Sequence, residues 1–542
     1  MEQAGPPRLA RRQVPELAGG VYDVIVVGGG ITGAGVARHA AACGLTTLLL
    51  EADDFAAGTS SRSTKLIHGG LRYLAMGDFA LVREGALERK SLLAMAPHLI
   101  EPRWMLVPAR NRLAQARLRL GISVYEWLGA VPRGERHRNW NGDELAAGEP
   151  LLDRARLPRA CVYREFLTDD ARLVLATLRS AAALGADVCN YAPAVSVTQA
   201  GRECLVGVDD QRSGERCEVR ARCVVNAAGP WVEALLQGGP AAALAHPRLY
   251  LSKGVHLVLP RQRLPVRNMV MMSAPDGRPV FAIARGAVTY VGTTDTVHGG
   301  AAVHWPAVTA ADIDYLLTTV NAHFRVEPVT AGEVLATWAG LRPLIHQPGK
   351  APKEMSRRDE IWRDGALVTV AGGKLTGFRR MAEETMKAVG EVLGRPVEMP
   401  RPLATLAGGD IRDVAGLVEE VERRYRLERP VAARLVRLYG SEVWQVLGER
   451  PSPLSASVFG EEIDWAVEVE GARTLEDVVY RRVRAAWFLP AEVQAVVTGA
   501  AGLLADRLQW NGTETESQTA AVRRRLADEL GFRHSAVSNA SR

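Results

Sequence analysis

Residues 22–51 constrain the fold more strongly than any other part of this sequence. An apolar run over residues 23–27 is followed at once by Gly28, Gly30 and Gly33, which fit the pattern G-x-G-x-x-G. The first glycine permits a tight turn, the second lets a pyrophosphate approach the backbone, and the third lets a helix pack closely on the strand. The free N–H groups and the positive dipole end of that helix favour the same anion.

The residues after the glycines complete a dinucleotide-binding unit. Residues 34–43 are predicted to form a helix that ends at Gly44, and an apolar strand over residues 46–50 then leads to Glu51. An acidic side chain about 20 positions beyond the glycines is where such a fold binds ribose hydroxyls. A glycine-rich surface turn would not explain Glu51. We therefore interpret the segment as part of a Rossmann-type α/β domain.

Length and composition narrow the class of protein. The 542 residues are enough for two or three domains with large cores. No run approaches 18 apolar residues, so we expect no membrane-spanning helix. Residues 1–20 lack the apolar core of a signal peptide, which predicts a flexible leader and a cytoplasmic location. The six cysteines contain no C-x-x-C pair, so we predict reduced thiols and no metal site.

The positive charge is concentrated in one segment. The net charge of the chain is +6, and residues 101–140 hold eight arginines against three glutamates. Arginines and apolar side chains alternate over residues 113–128. This pattern fits a helix on an anionic membrane surface, and equally a solvated helix that covers the core. No glycine-aromatic motif or lysine-rich run accompanies it, so we expect no nucleic-acid partner.

The remaining segments predict two further parts. Residues 245–335 alternate short β-branched runs with turns, which is typical of an antiparallel sheet that could roof a substrate pocket. From residue 410 onward, long amphipathic helices are predicted over residues 411–425, 430–439, 474–488 and 490–508. They suggest an accessory domain for packing or dimer contact. The segment from residue 511 is polar, and we expect it to be partly mobile.

A series of further motifs runs in unbroken order to about residue 510. Residues 59–74 read Thr-Ser-Ser-Arg-Ser-Thr-Lys-Leu-Ile-His-Gly-Gly-Leu-Arg-Tyr-Leu directly after the dinucleotide unit. Later motifs include Asn-Ala-Ala-Gly-Pro-Trp (226–231), Gly-Thr-Thr-Asp (292–295), Ala-Gly-Leu-Arg-Pro (339–343) and Gly-Gly-Lys-Leu-Thr (372–376). Together they resemble the FAD-dependent, quinone-linked glycerol-3-phosphate dehydrogenases. Any one of these motifs would be weak evidence, but the ordered series is specific.

The resemblance implies an architecture and an activity. The fold would be a Rossmann-type FAD-binding domain of the glutathione-reductase and D-amino-acid-oxidase kind, with an antiparallel-sheet substrate domain and a C-terminal α-helical domain. The predicted division is a leader (1–20), an oxidoreductase region (21–400), a helical domain (401–510) and a polar tail (511–542). Within the oxidoreductase region, the segments that would bind FAD are residues 21–105, 165–240 and 336–395. The substrate domain would be formed by residues 106–164 and 241–335. The implied reaction is oxidation of sn-glycerol 3-phosphate to dihydroxyacetone phosphate, with hydride passing from C2 to flavin N5.

Candidate substrate residues follow from the resemblance. They are the positions that match the family's substrate-binding side chains, namely Arg72, Tyr73, Arg342, Arg357 and Lys374. Arginine suits a phosphate dianion because its guanidinium donates bidentately and stays charged. We expect Arg342 nearest the reacting carbon and include Lys374 among the catalytic residues. His256 is a candidate base, although a histidine in this apolar strand could equally be a hydrogen-bonded core residue.

Candidate cofactor residues lie in the glycine turn, in the motif that follows it and in two later motifs. They are Gly28, Gly30, Gly33, Glu51, Thr59, Ser60, Ser61, Thr64, Lys65, His68, Gly69, Ala228, Gly229, Gly373, Lys374, Leu375 and Thr376. Lys374 and Thr376 would also place a helix start beside the edge of the flavin that becomes anionic on reduction. His68 could contact the flavin or attach it covalently, and the sequence leaves both open.

Two other activities compete with a quinone-linked dehydrogenase. Reduced flavin could pass its electrons to oxygen, which would make the protein an oxidase. A related flavoprotein could instead oxidise an amine or a hydroxy acid, but that site would need a carboxylate clamp rather than several cations for a dianion. The basic segment at residues 101–140 favours a membrane quinone and a peripheral membrane contact. We also expect a homodimer.

Overall fold

Two β-sheets carry the architecture of the protein. The computed structural model describes residues 5–9, 14–69, 79–237, 248–346, 359–398, 400 and 404–533. In chain order its strands are β1 (Val21–Val27), β2 (Thr47–Leu50), β3 (Leu66–Ile67), β4 (Ile100–Ala109), β5 (Arg138–Asn141), β6 (Arg159–Thr168), β7 (Asp187–Cys189), β8 (Ala194–Ala200), β9 (Glu203–Asp209), β10 (Arg216–Asn226), β11 (Leu249–Pro260), β12 (Met269–Ser273), β13 (Pro279–Arg285), β14 (Val288–Gly292), β15 (Thr296–Val297), β16 (Ala336–Ile345), β17 (Asp359–Asp364) and β18 (Leu367–Gly372).

The helices cover these sheets and form the C-terminal part of the chain. In chain order they are α1 (Val14–Leu17), α2 (Ile31–Ala42), α3 (Phe79–Met95), α4 (Arg112–Leu128), α5 (Gly142–Gly148), α6 (Asp170–Ala183), α7 (Val232–Gln237), α8 (Ala310–His323), α9 (Phe378–Leu393), α10 (Val414–Tyr425), α11 (Arg429–Tyr439), α12 (Val443–Leu447), α13 (Gly460–Glu468), α14 (Ala485–Phe488), α15 (Val493–Leu508) and α16 (Gly512–Asp528).

The first sheet is the predicted Rossmann-type sheet. Its strand order is β17-β18-β10-β1-β2-β7, and β18, β10, β1, β2 and β7 run parallel. Both faces are covered: Val24 and Val26 pack with helices α2, α6 and α9, whereas Ile25 packs with strands β8 and β9. This double coverage explains the uninterrupted apolar run in β1, because every side chain of a central parallel strand is buried. The predicted strand, turn, helix and strand over residues 22–51 are confirmed.

The second sheet lies on the other side of the cavity from the first sheet. Its strand order is β15-β11-β14-β13-β12-β4-β6-β3, with β16 beside β11 and β5 beside β6. Apart from the parallel pair β12 and β4, the pairings are antiparallel, as predicted for residues 245–335. The sheet extends beyond that range. Strand β16 pairs with β11 from Ala336 to Ile345, so this part of the predicted FAD-binding segment 336–395 belongs to the second sheet.

The C-terminal helices differ from the prediction at their ends and in one interior stretch. Helix α10 begins at Val414 rather than residue 411, because the Asp413 carboxylate accepts the N–H of Ala415 and caps the helix there. The single helix predicted over residues 474–488 is instead a π-helical turn, Asp477–Arg482, followed by α14. Arg484 separates them with a left-handed backbone, φ 63°. Amphipathic periodicity does not predict such a break.

The described residues of the predicted leader and of the predicted tail include regular elements and buried side chains. In the predicted flexible leader, Leu9 is buried and its N–H donates to the carbonyl of Val469 at 2.8 Å. In the predicted polar tail, residues 512–528 form helix α16, whose N-terminus is capped by Asn511 and whose Val522 is buried. In the described residues, one or two apolar side chains dock each segment on neighbouring elements; the flexibility of the leader and the tail stays a prediction.

Three features of the described residues concern membranes, metals and thiols. None of the helices in the described ranges is long and apolar enough to cross a bilayer. Within those ranges, no group of three or more His, Cys, Asp and Glu side chains is arranged to hold a metal ion. None of the six cysteines, all of which lie in the described ranges, forms a disulfide.

Glu529 makes the stability of the folded state depend on pH. Its carboxyl is buried beside Trp487, whose indole N–H donates to it at 3.0 Å, and burial raises its pKa from 4.5 to about 8. A carboxyl with a raised pKa stabilises the fold fully below its ordinary pKa and loses that contribution as the pH rises through the raised value. We therefore expect Glu529→Gln to raise the thermal midpoint by several degrees at about pH 9 relative to the unsubstituted protein. At about pH 5 the two midpoints should nearly coincide; parallel pH profiles would contradict this assignment.

Candidate active site

One large cavity lies between the two sheets. Its volume is about 1680 Å³, larger than the roughly 300–1,000 Å³ that encloses one drug-sized ligand. Its lining joins the carboxyl ends of β1, β2 and β10, at Val27, Leu50 and Ala227, to residues of β11 and β16 in the second sheet. Ligands of doubly wound folds bind at this edge of a parallel sheet. The cavity therefore has room for a dinucleotide and a small substrate together.

The glycine turn after β1 has the geometry that the sequence predicts. Gly28 has φ +111°, and a Cβ there would lie 2.6 Å from the carbonyl oxygen of Ala227. A Cβ at Gly33 would overlap the carbonyl oxygen of Gly28, so the third glycine is needed for close packing of the helix on the turn. Gly30 lines the cavity at the start of α2, where helix N–H groups are available to an anion.

Glu51 lies at the end of β2, as predicted, and lines the same cavity. Its carboxylate accepts the N–H of Gly29 at 2.5 Å and the N–H of Asp53 at 2.9 Å. Burial raises the pKa of this carboxyl to about 7. The two N–H groups lower the pKa, but their effect is smaller than that of burial. A partly buried acceptor of this kind gains from hydroxyl groups that donate to it, and a ribose provides them.

The second sheet contributes Arg342, and its surroundings fix the guanidinium. Nη2 donates to the hydroxyl of Thr293 at 2.9 Å and Nη1 donates to the carbonyl of Thr294 at 3.3 Å. Asp295 lies 3.5 Å from Nη1, and the hydroxyl of Ser252 donates to the same carboxylate. A Cβ at Gly254, on the neighbouring strand, would overlap the guanidinium. The arginine is therefore held at the cavity wall by the protein's own groups.

His256 lies two residues after Gly254 in β11, on the same face of the strand. Its ring stacks on Trp338 with centroids 4.7 Å apart, and Nε2 is 3.0 Å from the hydroxyl of Thr64. Burial lowers its pKa well below 6.5, and the charges of Lys65 and Arg342 add to that effect. The imidazole is therefore neutral at neutral pH. It is packed like a core residue and also lines the cavity, and its role as the base stays a prediction.

Sequence comparisons assign the chain to a family. A family model described as FAD dependent oxidoreductase matches residues 23–375, and one described as the C-terminal domain of alpha-glycerophosphate oxidase matches residues 404–515. The aerobic glycerol-3-phosphate dehydrogenase of Bacillus subtilis is 35% identical over 96% of this chain and 97% of its own length. Its Staphylococcus aureus (strain MRSA252) counterpart is 35% identical over 94% of both chains.

This chain belongs to the FAD-dependent glycerol-3-phosphate dehydrogenase family. A solved structure supports the same assignment: the glycerol-3-phosphate dehydrogenase from Bacillus halodurans, complexed with FAD, superimposes with a TM-score of 0.78 at 32% identity. The superposition covers 96% of this chain and 97% of that one. The family and fold class predicted from the motifs are thereby confirmed.

As a member of this family the protein uses FAD, and the cavity fits that cofactor. Glycines 28 and 30 leave room for the pyrophosphate, and Glu51 stands where a ribose is held. The other predicted cofactor residues that line the cavity are Thr59, Ser60, Thr64, His68, Ala228, Gly229, Gly373, Lys374, Leu375 and Thr376. They come from three separate segments of the dehydrogenase chain that meet only in the folded protein.

Four predicted cofactor residues are not among the lining residues: Gly33, Ser61, Lys65 and Gly69. Lys65 is fully buried, and its ammonium contacts Asp170 at 3.2 Å and the carbonyl of Ser61 at 3.0 Å. Burial lowers the pKa of this lysine to about 7. The N–H of Gly69 donates to the hydroxyl of Tyr125 at 3.1 Å. Lys65 and Tyr125 therefore hold the segment from Ser61 to Gly69 from within the protein.

The predicted substrate cluster is described only in part. Arg342 and Lys374 line the cavity, whereas Arg72, Tyr73 and Arg357 lie outside the described residues. Sequence reasoning missed three lining residues that shape this site. Thr293 and Asp295 belong to the Gly-Thr-Thr-Asp motif, which could have indicated them. Glu165, in β6, carries no such signal.

Glu165 brings a buried acidic group to the cavity wall. It accepts from Arg89 and from the hydroxyl of Tyr125, each at 2.9 Å. Burial raises its pKa above the usual range, although Arg89 and Lys374 both act to lower it. Glu165 and Lys374 both line the cavity, so an acidic group from the second sheet and a cation from the first share this space.

Proposed function

We propose that this enzyme oxidises sn-glycerol 3-phosphate to dihydroxyacetone phosphate and passes the electrons to a membrane quinone. The observation that carries the proposal is the fixed pair of Arg342 and His256 in one cavity with the dinucleotide turn. Bound FAD would supply the hydride acceptor, and the relatives named above are dehydrogenases of this substrate. The chain's own residues would bind the dianion, orient C2 and move the hydroxyl proton.

Arg342 would stabilise negative charge on the substrate. Its guanidinium is held by Thr293, Thr294 and Asp295, so little rotational freedom is lost when an anionic oxygen binds. A fixed cation beside the C2 oxygen favours the alkoxide-like transition state of hydride removal. Lys374 would add charge for the phosphate. The contributions of Arg72, Tyr73 and Arg357 remain predictions from the resemblance.

His256 would accept the proton from the C2 hydroxyl. Its lowered pKa keeps the ring neutral at neutral pH, so a ring nitrogen is available as an acceptor. Two cations, Lys65 and Arg342, contribute to that lowering. A bound phosphate dianion would offset their field and raise the basicity of the ring when substrate is present. Stacking on Trp338 and contact with Thr64 would hold the imidazole in one orientation.

A group of apolar lining residues supports a quinone as the electron acceptor. They are Leu66, Met105, Val107, Leu118, Met271 and Phe281, and they belong to one apolar cluster. Leu118 lies in helix α4, so the cluster extends from the cavity to that helix. A quinone is apolar and lipid-borne, and it needs an apolar path, whereas oxygen does not.

The outer face of α4 is suited to a membrane surface. Leu113, Leu120 and Trp127 are 61%, 68% and 76% exposed, and their spacing of seven residues places them on one stripe of the helix. Exposed arginines flank the stripe, at positions 112, 117 and 119. The opposite face is buried through Ile122 and Tyr125. The helix therefore covers the core, and we propose that its outer stripe docks on an anionic bilayer.

Replacing the stripe with charge should weaken membrane binding. We expect Leu120→Glu or Trp127→Glu to lower the affinity for phosphatidylglycerol-containing vesicles by about tenfold or more, because each loses roughly 1.5–3 kcal/mol of apolar burial. Val297→Glu is the matched control, since Val297 is 64% exposed but lies in β15. Vesicle co-sedimentation measures the affinity. Equal binding by the helix variants and the control would contradict docking through α4.

Product and acceptor can be tested in one experiment. The FAD-loaded enzyme would be supplied with sn-glycerol 3-phosphate, and in parallel with glycerol, lactate or sarcosine. We expect dihydroxyacetone phosphate from the first alone, with turnover sustained by a soluble quinone analogue under anaerobic conditions. Peroxide formed in step with product, without turnover on quinone, would instead establish an oxidase. A homodimer and a location on the cytoplasmic side of the membrane remain predictions from the sequence.

A further inference from the structure

Three buried arginines of the C-terminal domain contact the cofactor-binding part of the chain. Arg481 and Arg482 end the π-helical turn Asp477–Arg482, and Arg484 follows two residues later. All three are at most 2% exposed. Charged side chains are rarely buried to this extent unless partners on the other side of an interface compensate them.

Arg481 and Arg482 meet at Asp54, three residues beyond Glu51. One carboxylate oxygen of Asp54 accepts from Nε of Arg481 at 2.5 Å and from Nη1 of Arg482 at 2.6 Å. The other accepts from Nη2 of Arg482 at 2.8 Å. Burial alone would raise the pKa of Asp54, but the two guanidiniums outweigh it and the pKa lies below its usual value. This end of the contact is thus a fixed ionic cluster.

Arg484 contacts the segment at Ser61 and, through Asp170, at Ser63. It donates to Asp170 at 2.9 Å and to the carbonyl of Ser61 at 3.4 Å. The second oxygen of Asp170 accepts from the N–H and the hydroxyl of Ser63, at 3.0 and 2.8 Å, and from Lys65 at 3.2 Å. The arginine therefore holds this segment both directly and through the carboxylate that binds it.

The cofactor-side loop lies between these two contacts, and we define it as residues 54–65. Its members at positions 57–60 and 62–64 line the cavity. The loop contains only one short helical turn, Thr59–Ser61, and two non-glycine residues with left-handed backbone, Ala56 at φ 62° and Lys65 at φ 60°. Such conformations persist only when the surrounding structure enforces them.

We propose that the C-terminal domain is a structural part of the FAD site. Arg481, Arg482 and Arg484 are positioning residues that hold the cofactor-side loop in its FAD-binding conformation. This role goes beyond packing or dimer contact, and it is independent of which alcohol is oxidised and which acceptor is used. The domain thereby makes FAD retention depend on residues more than 400 positions away in the sequence.

The test compares buried ion pairs, all of which join the C-terminal domain to the FAD-binding part of the chain. Arg482→Gln and Arg484→Gln each remove a contact to the loop. Arg179→Gln is the matched control: Arg179 lies in α6 and pairs bidentately with Glu442 of the C-terminal domain, at 2.6 and 2.7 Å, and its Nε donates to Pro7. FAD release is followed by the fluorescence that appears when each holoenzyme is diluted. We expect release from the two loop variants to be about 100-fold faster than from the control.

Two further measurements separate positioning from general loss of stability. Hydrogen exchange of residues 54–65 at saturating FAD should accelerate in Arg482→Gln and Arg484→Gln but not in Arg179→Gln. Arg484→Lys, which keeps the charge, should retain FAD better than Arg484→Gln. If a glutamine variant does not fold, FAD release and hydrogen exchange of residues 54–65 in Arg484→Lys, compared with the unsubstituted protein, decide whether the proposal stands. FAD release that is equal in the loop variants and the control, or unchanged exchange in the loop, would overturn the proposal.

Discussion

Arg342→Ala should abolish reduction of the bound flavin by sn-glycerol 3-phosphate while leaving FAD in place. The guanidinium is fixed by Thr293, Thr294 and Asp295 at the cavity wall, in the second sheet and away from the glycine turn. Its removal takes away the cation that would bind the substrate and stabilise charge at C2. From the loss of one pre-positioned charged donor we expect kcat/KM to fall by about 10³ or more.

The measurement is the rate of flavin bleaching after anaerobic mixing with substrate. Arg342→Lys should be intermediate, because it keeps the charge but loses the fork that the three partners hold. Arg110→Ala is the control, since Arg110 also lines the cavity but follows β4 in another part of its wall. Bleaching of the Arg342→Ala enzyme at the rate of this control would place the chemistry elsewhere.

Glu51→Ala should have the opposite effect and weaken FAD retention first. The carboxylate is partly buried, lines the cavity and is aligned by the N–H groups of Gly29 and Asp53. Removing it leaves these donors and the ribose hydroxyls without their acceptor, which costs roughly 1–3 kcal/mol for each unsatisfied group. We expect the dissociation constant for FAD to rise by about 100-fold.

With FAD in excess, the Glu51→Ala enzyme should be reduced by substrate at close to the normal rate, because Arg342 and His256 remain in place. Asp53→Ala is the matched control: the side chain is a neighbouring carboxylate that does not line the cavity. FAD affinity is read from the quenching of flavin fluorescence on binding. Unchanged affinity in Glu51→Ala would show that the ribose is not held at this strand end.

The cofactor half of the site could be predicted because its determinants are local. The turn at Gly28 and the carboxylate at Glu51 depend on a strand, a helix and a second strand that are adjacent in sequence, and each has a fixed steric or hydrogen-bonding reason. The structure reproduces that unit closely. The substrate half depended on the family resemblance, since nothing near Arg342 in the sequence shows that Thr293 and Asp295 will lie beside it.

Long-range contacts explain most of what the sequence did not predict. Glu165 faces the cavity because β6 pairs with β4, and alternation in a strand does not reveal a buried carboxyl. Arg481 and Arg482 bind Asp54, which lies more than 400 residues away in the sequence. The π-helical turn there also breaks the helix predicted over residues 474–488. Local patterns specify elements, whereas these contacts are specified by how the elements pack.

Helix α4 is a segment for which the sequence supported two interpretations. The mixture of arginines and apolar residues was consistent with a core-covering helix and with a membrane-facing one. In the structure Ile122 and Tyr125 are buried, while Leu120 and Trp127 are exposed on the opposite face. Periodicity alone could not divide these residues between two environments, because both faces are apolar. Packing against the second sheet decides which face remains open.

The central claim is that a cationic pocket for a small phosphorylated alcohol lies beside an FAD held in the N-terminal sheet. The most direct test is the visible absorption of the purified, FAD-loaded protein under anaerobic conditions as sn-glycerol 3-phosphate is added. The structure predicts that the yellow oxidised flavin bleaches at sub-second to second times and that dihydroxyacetone phosphate forms in equal amount. A folded, FAD-loaded protein that stays yellow with this substrate would contradict the claim.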